Sequence, residues 1–251
     1  MEYKFILSLL ISLLAGLSTL IGYFIIYIKV KNINKFLSFF LTLSFSIMIN
    51  ISIFELIPHA TIYFLNKYNF ILILTIITFI FTISQILVKR VGEIVNKKVK
   101  IHSNLYNIGI LSTIVLFMHN MPEGVATFIS SYNNLKLGIT LSFSIIMHNI
   151  PEGINIALPI YYATHSKRNA FKYVFICALA EPIGALLAYL LLYNINSDYL
   201  LNITLLIVSG IMLSISINEI FPESIKYNNG KLNKKAYFLG MLFVILSLLI
   251  F

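Results

Sequence analysis

A histidine, an asparagine and a glutamate recur in one order and spacing at two places in the chain: His119-Asn120-Met121-Pro122-Glu123-Gly124 and His148-Asn149-Ile150-Pro151-Glu152-Gly153, 29 residues apart. On a helix His119 and Glu123 stand at i and i+4, about 5–6 Å apart on one face, with Asn120 and Glu123 at i and i+3 on its edge. Each glutamate can therefore serve two neighbouring sites. Proline supplies no N–H, so the carbonyls of Met118 and Met147 lose their usual partners, and the following glycine opens the backbone to close approach. An imidazole, a carboxylate and an amide oxygen beside a loosened turn make a donor set for a divalent metal.

Both copies lie inside long apolar runs that hold no Lys or Arg. A carboxylate in hydrocarbon is expensive, and a bound cation is the simplest counter-charge. A helix duplicated only for packing would not repeat the same ionisable pair. Donors of this kind, without thiolate, suit zinc and equally iron(II), manganese, cobalt or cadmium.

The elements that must position these groups are membrane spans. The chain has 251 residues, 59% of them hydrophobic and 11% charged, and one cysteine. That composition lies far from an average soluble domain and predicts an all-α polytopic membrane protein, one domain over residues 1–251. Eight apolar segments are each near the roughly 20 residues that cross a bilayer: 5–28, 36–65, 70–88, 108–131, 137–163, 169–193, 199–226 and 236–251. The first is longer than a signal-peptide core and reads as a span. The single cysteine excludes an internal disulfide framework.

Of the 18 Lys and Arg, 15 fall in the connections 1–2, 3–4, 5–6 and 7–8, and only Lys4, Lys67 and Lys136 lie on the other side. The positive-inside rule puts the first set, with the long loop 89–107, in the cytoplasm and both termini outside. The net charge of +9 belongs to these loops, so it gives no case for nucleic acid.

Six of the nine acidic residues sit in or at the ends of spans, each within three residues of a proline: Glu55, Glu123, Glu152, Glu181, Glu219 and Glu223. Carboxylates beside broken helices are the pattern of a transporter site. Glu123, Glu152 and Glu181 are expected at the centre, between spans four, five and six. Glu55 with His59 toward the outer end, and Glu219 with Glu223 toward the inner end, suggest an ion pathway, against a plain reading in which terminal groups meet water. Cys177 stands on the same face as Glu181, where a sulfur is a soft-ligand candidate, but a lone buried cysteine more often packs as a small apolar residue, and packing is the expectation. His102 and His165 are expected in or beside solvated loops, and Ser142, Ser144, Gly184 and Ala185 at close helix contacts.

With these residues in view, the chain resembles the ZIP family of metal transporters. The resemblance rests on the paired His-Asn-x-Pro-Glu-Gly motifs on spans four and five, the Glu181-Pro182 on span six, the Glu-x-x-Pro elements on spans two and seven, and the stretch 160–168. It implies uptake of Zn2+, and of Fe2+ and other divalent ions, into the cytoplasm across the plasma membrane. The ions are cargo and no prosthetic group is implied. It also implies a binuclear site, with one ion on Glu123, His148 and Glu152 near His119, and a second on Asn120, Glu123, Asn149, Glu152 and Glu181. The expected partners are metal ions and the lipid bilayer, with a homodimer as a candidate assembly. An intramembrane zinc hydrolase, a proton channel and a non-transporting metal sensor are the alternatives; no HExxH helix supports the first.

Overall fold

A computed structural model describes residues 2–29, 31–98, 104–192 and 198–250. The described residues form eight helical rods and no strand. In order they are α1 (Glu2–Tyr23), prolonged by a 3-10 turn at Phe24–Tyr27; α2 (Ile33–Ile51) joined through a π turn, Ser52–Leu56, to α3 (Ile57–Leu65); α4 (Phe70–Lys98); α5 (Asn104–Asn133); α6 (Leu135–Thr164); α7 (Lys167–Ala178) with α8 (Ala180–Leu192); α9 (Asp198–Ile215), a second π turn at Ser216–Ile220 and α10 (Phe221–Lys226); and α11 (Lys234–Ile250). Five rods are individually long and apolar enough to cross a membrane: Tyr3–Tyr27, Ile33–Leu65, Phe70–Arg90, Lys167–Leu190 and Asp198–Lys226. The 30-residue α5 and α6 carry the polar motifs, and α11 has 17 residues.

Short polar residues start these helices. Asn32, Asn69, Asn134 and Asn233 accept from the backbone N–H of Lys35, Leu72, Leu137 and Ala236 at 3.0, 2.8, 3.2 and 3.3 Å, and Ser166 accepts from that of Asn169 at 3.2 Å. Each such cap contributes about 1 kcal/mol. His165 ends α6 in the left-handed region, at φ 49°, and is exposed.

The rods pack as two sets. One holds α1, α5, α6 and the α7–α8 rod; the other holds α2–α3, α4, α9–α10 and α11, and the two meet chiefly where α2 crosses α6 and α9 crosses α5. Within the first set main chains touch. A Cβ on Gly124 would collide with the carbonyl oxygen of Glu181, and one on Gly184 with that of Met121. Small residues thus let α8 lie directly on α5. On the outside, α4 turns Phe70, Ile71, Leu74 and Phe79 outward, the surface expected of a lipid-facing helix.

The helices depart from expectation in three ways. α4 continues to Lys98, so Lys89, Arg90, Lys97 and Lys98 ride on a helix instead of a loop; the stretch has no proline, and its one Gly92 costs only about 1 kcal/mol. Lys100 and His102 lie outside the described residues. α5 and α6 run unbroken through Pro122, Pro151 and also Pro159, where one lost backbone bond is outweighed by packing. The interruptions come at Leu179, before Pro182, and at the two π turns.

Those π turns share a pattern that spacing alone left unnoticed: Ser52-Ile-Phe-Glu55-Leu-Ile-Pro58 and Ser216-Ile-Asn-Glu219-Ile-Phe-Pro222. In each, the residue before the proline donates its N–H to the serine carbonyl five positions back, Ile57 to Ser52 and Phe221 to Ser216. The wide turn accommodates a ring that cannot donate.

Candidate metal centre

The centre is assembled by α5, α6 and the start of α8. His119, Asn120, Glu123, His148, Asn149, Glu152 and Glu181 are all 0% exposed. The helical register brings each histidine and glutamate of a motif onto one face, but the bonds cross between helices. His119 Nε2 lies 2.9 Å from Glu152 Oε1, and His148 Nε2 lies 3.3 Å from Glu123 Oε2. Each motif thus pairs with the other copy, where spacing pointed to stacking within one helix. His148 Nδ1 lies 3.1 Å from the Ser144 carbonyl oxygen, which sets its ring. Asn149 donates through Nδ2 to Glu181 Oε1 and, at 2.9 Å, to the Ala15 carbonyl of α1.

What remains after these bonds is a set of idle donor atoms. His119 Nδ1, Asn120 Oδ1, Glu123 Oε1, Asn149 Oδ1, Glu152 Oε2 and Glu181 Oε2 are buried with no hydrogen-bond partner. An unpaired buried polar atom costs about 1–3 kcal/mol, so six in one cluster mark a place built for something else to satisfy them. Among the described residues no three His, Cys, Asp or Glu side chains already stand at a spacing that holds a metal. Any ion bound here would have to exchange the His–Glu bonds for its own.

Two neighbours escaped the sequence reading. Ser44 of α2 donates to Glu152 Oε1 at 3.5 Å and to Met48 Sδ at 4.0 Å. The signal for it was a polar stripe in an apolar span, Ser38, Thr42, Ser44, Ser46 and Asn50, all buried. The Ala15 carbonyl had no sequence signal. Cys177 packs as expected in an apolar cluster with Leu116, Ile156 and Val174, 0% exposed, and in addition accepts from Asn120 Nδ2 at 3.9 Å.

The four end residues are not part of this cluster and ride on the second helix set. Glu55, on the first π turn, is 7% exposed and neither of its carboxylate oxygens has a partner. His59 does not pair with it; Nδ1 lies 3.1 Å from Asn202 Oδ1 instead. His59 and Asn202 line a cavity of about 380 Å³ together with Tyr63, Asn133, Asn134 and Asp198. Nearby Lys67 donates to the Tyr63 hydroxyl, which raises the lysine pKa above its ordinary value. At the other end Glu219 is half-buried, and Glu223 pairs with Lys226 at 3.3 Å.

The chain is similar to known proteins along its whole length. A family model described as ZIP zinc transporter matches residues 93–250. Proteins named zinc transporter ZupT from Oceanobacillus iheyensis and Clostridium perfringens are 38% and 36% identical to it, covering 98% of this chain in both cases and 98% and 96% of their own lengths. A protein of the same name from Chlorobium luteolum is 38% identical over 97% of each chain.

Proposed function

The chain belongs to the ZIP zinc transporter family, and from that premise we propose that it carries zinc into the cytoplasm through the centre between α5, α6 and α8. The observation that carries the reading is the fully buried, crossed His–Glu arrangement with one idle donor atom on each of six residues. Two ions share Glu123 and Glu152: one is held by those glutamates with His148 and His119, the other by Asn120, Asn149 and Glu181 with the same glutamates. Nitrogen and oxygen donors of this kind also accept Fe2+, manganese, cobalt and cadmium.

Transport needs a way in and a way out. The cavity at His59, Asp198 and Asn202 lies at the end whose connections are poor in Lys and Arg, which the positive-inside rule makes the outer face. Ions enter there past His59 and Glu55 and leave past Glu219 and Glu223 at the basic, cytoplasmic end. Both termini then lie outside, in the plasma membrane, which is the inner membrane in a Gram-negative cell. The chain acts as one domain, and a second copy is the candidate partner.

The test is zinc uptake by purified chain in sealed liposomes. Glu123→Ala and Glu152→Ala each remove a ligand common to both ion positions, so both abolish uptake while the protein remains inserted. Normal uptake by either variant sinks the reading. Tight zinc binding by wild-type chain without flux points to a metal sensor.

A further inference from the structure

We propose that the outer half of α5 is a wall of the ion's entry path: the hydroxyls of Thr127, Ser130 and Ser131 line a hydrated track from the cavity at His59 and Asp198 down to Glu123. The inference rests on the transport reading above and supplies the stretch between its cavity and its metal centre.

The three hydroxyls stand four, seven and eight residues after Glu123, the spacing that keeps side chains on one stripe of a helix. That stripe runs from the centre toward the outer end and stops at Asn133, where α5 ends and the cavity begins. The stretch from Glu123 to Asn133 is about 15 Å of helix at the usual 1.5 Å per residue. The opposite side of the same stretch is given to packing. Phe128 and Tyr132 stack on each other at 5.9 Å, and Phe128 meets Phe5 of α1 and Tyr189 of α8 edge-on at 6.1 and 6.3 Å.

Thr127 and Ser130 are 0% exposed and Ser131 4%, yet none of the three hydroxyls has a hydrogen-bond partner. A helical hydroxyl in an apolar place can always bond the carbonyl four residues back. Thr75, Thr78 and Thr82 of the lipid-facing α4 do so at 2.9, 2.7 and 2.7 Å, and Thr113 does so at 2.8 Å in the inner half of α5 itself. The three on the stripe forgo that bond. An unpaired hydroxyl destabilises a dry interior, so three in one line point to water and a passing cation as their partners. Carboxylates stand at the two ends of the line, Asp198 in the cavity lining and Glu123 at the centre. Between them the neutral oxygens replace part of the ion's water without holding it, which is what conduction requires.

The experiment uses the full chain in sealed liposomes, with a membrane-impermeant cationic thiosulfonate on both sides of the bilayer. Thr127→Cys and Ser130→Cys each place a thiol on the track, Thr78→Cys places one at an exposed site of α4, and the wild type, whose one cysteine is buried, is the blank. A thiol reacts as the thiolate, which forms where water reaches it. The two track thiols should therefore be modified and zinc uptake lost with them, while Thr78→Cys stays unmodified and keeps its uptake. Thr127→Val and Ser130→Ala give a second reading that does not depend on the reagent. Each should slow zinc uptake about tenfold, the effect of one hydrogen bond lost at the barrier, with zinc affinity in detergent unchanged. In a dry interior the same two changes would delete an unpaired group, raising the melting temperature and leaving uptake alone. Track thiols as inert as that of Thr78→Cys overturn the proposal, and so does a higher melting temperature with unchanged uptake. If wild type carries zinc in either case, only this path fails; if it binds zinc without carrying it, the transport reading fails with it.

Discussion

The crossing of the two His–Glu bonds can be measured without any metal. Breaking a buried pair by removing one partner strands the other and costs about 3–5 kcal/mol. Removing both partners costs less than the sum, and for residues in direct contact the difference is about 0.5–3 kcal/mol. The structure puts His119 with Glu152 at 2.9 Å and His148 with Glu123 at 3.3 Å. The first pair should therefore show the larger coupling, the second a smaller one, and His119 with Glu123, neighbours in one motif, the least. The variants are His119→Ala, His148→Ala, Glu123→Gln and Glu152→Gln, alone and in those three combinations. Glutamine keeps the shape of the glutamate, so the cycle isolates its charge. In a chain of this length 1 kcal/mol moves the melting temperature by roughly 2–4 °C, so the strongest coupling amounts to several degrees. The reading is thermal unfolding of chelator-treated protein in one detergent. A coupling within the motif that equals or exceeds the one between helices would refute the crossed arrangement.

Zinc uptake at fixed free metal and voltage should fall as external pH drops below about 6, since protons then compete for imidazoles whose ordinary pKa is near 6.5; a profile that rises toward acid would instead indicate obligatory proton symport. Gly124→Ala changes no donor atom but forces α8 away at the Glu181 carbonyl. Displacing a binding group by about 1 Å can cost on the order of 100-fold, so flux per inserted protein should drop by that order, and wild-type flux would contradict the main-chain contact. His59→Ala should slow uptake mainly at low external zinc, where capture at the cavity limits the rate. An unchanged concentration dependence would remove that cavity from the route.

The motif residues were legible because ionisable groups have few reasons to sit in hydrocarbon, and Glu181 was legible because a proline followed it in an otherwise apolar run. The eight rods were legible for the same reason, within a few residues at most ends. Which histidine bonds which glutamate was not legible, since spacing reports neighbours along a helix and says nothing of the helix opposite. The Ala15 carbonyl that receives Asn149 was invisible, because every residue has one. Proline misled in both directions. It signalled breaks at Pro122 and Pro151, where the helices continue, and it gave no hint that the residues ahead of Pro58 and Pro222 would take up a five-residue backbone bond. Cys177 was legible as a small packing residue on the face of Glu181, whereas the Asn120 amide 3.9 Å from its sulfur was not, since it comes from another helix.

The contacts at Gly124 and Gly184 bear on tolerance, in the engineer's sense of the word. A coordination shell works only if its donors are held to about 0.5 Å, and helices spaced by long side chains drift by more than that as rotamers change. Where Gly124 meets the Glu181 carbonyl and Gly184 meets that of Met121, main chain rests on main chain, and main chain has no rotamers. The gap between α5 and α8 is thereby gauged by bond lengths and atomic radii, quantities that neither the lipid around the protein nor the temperature can adjust.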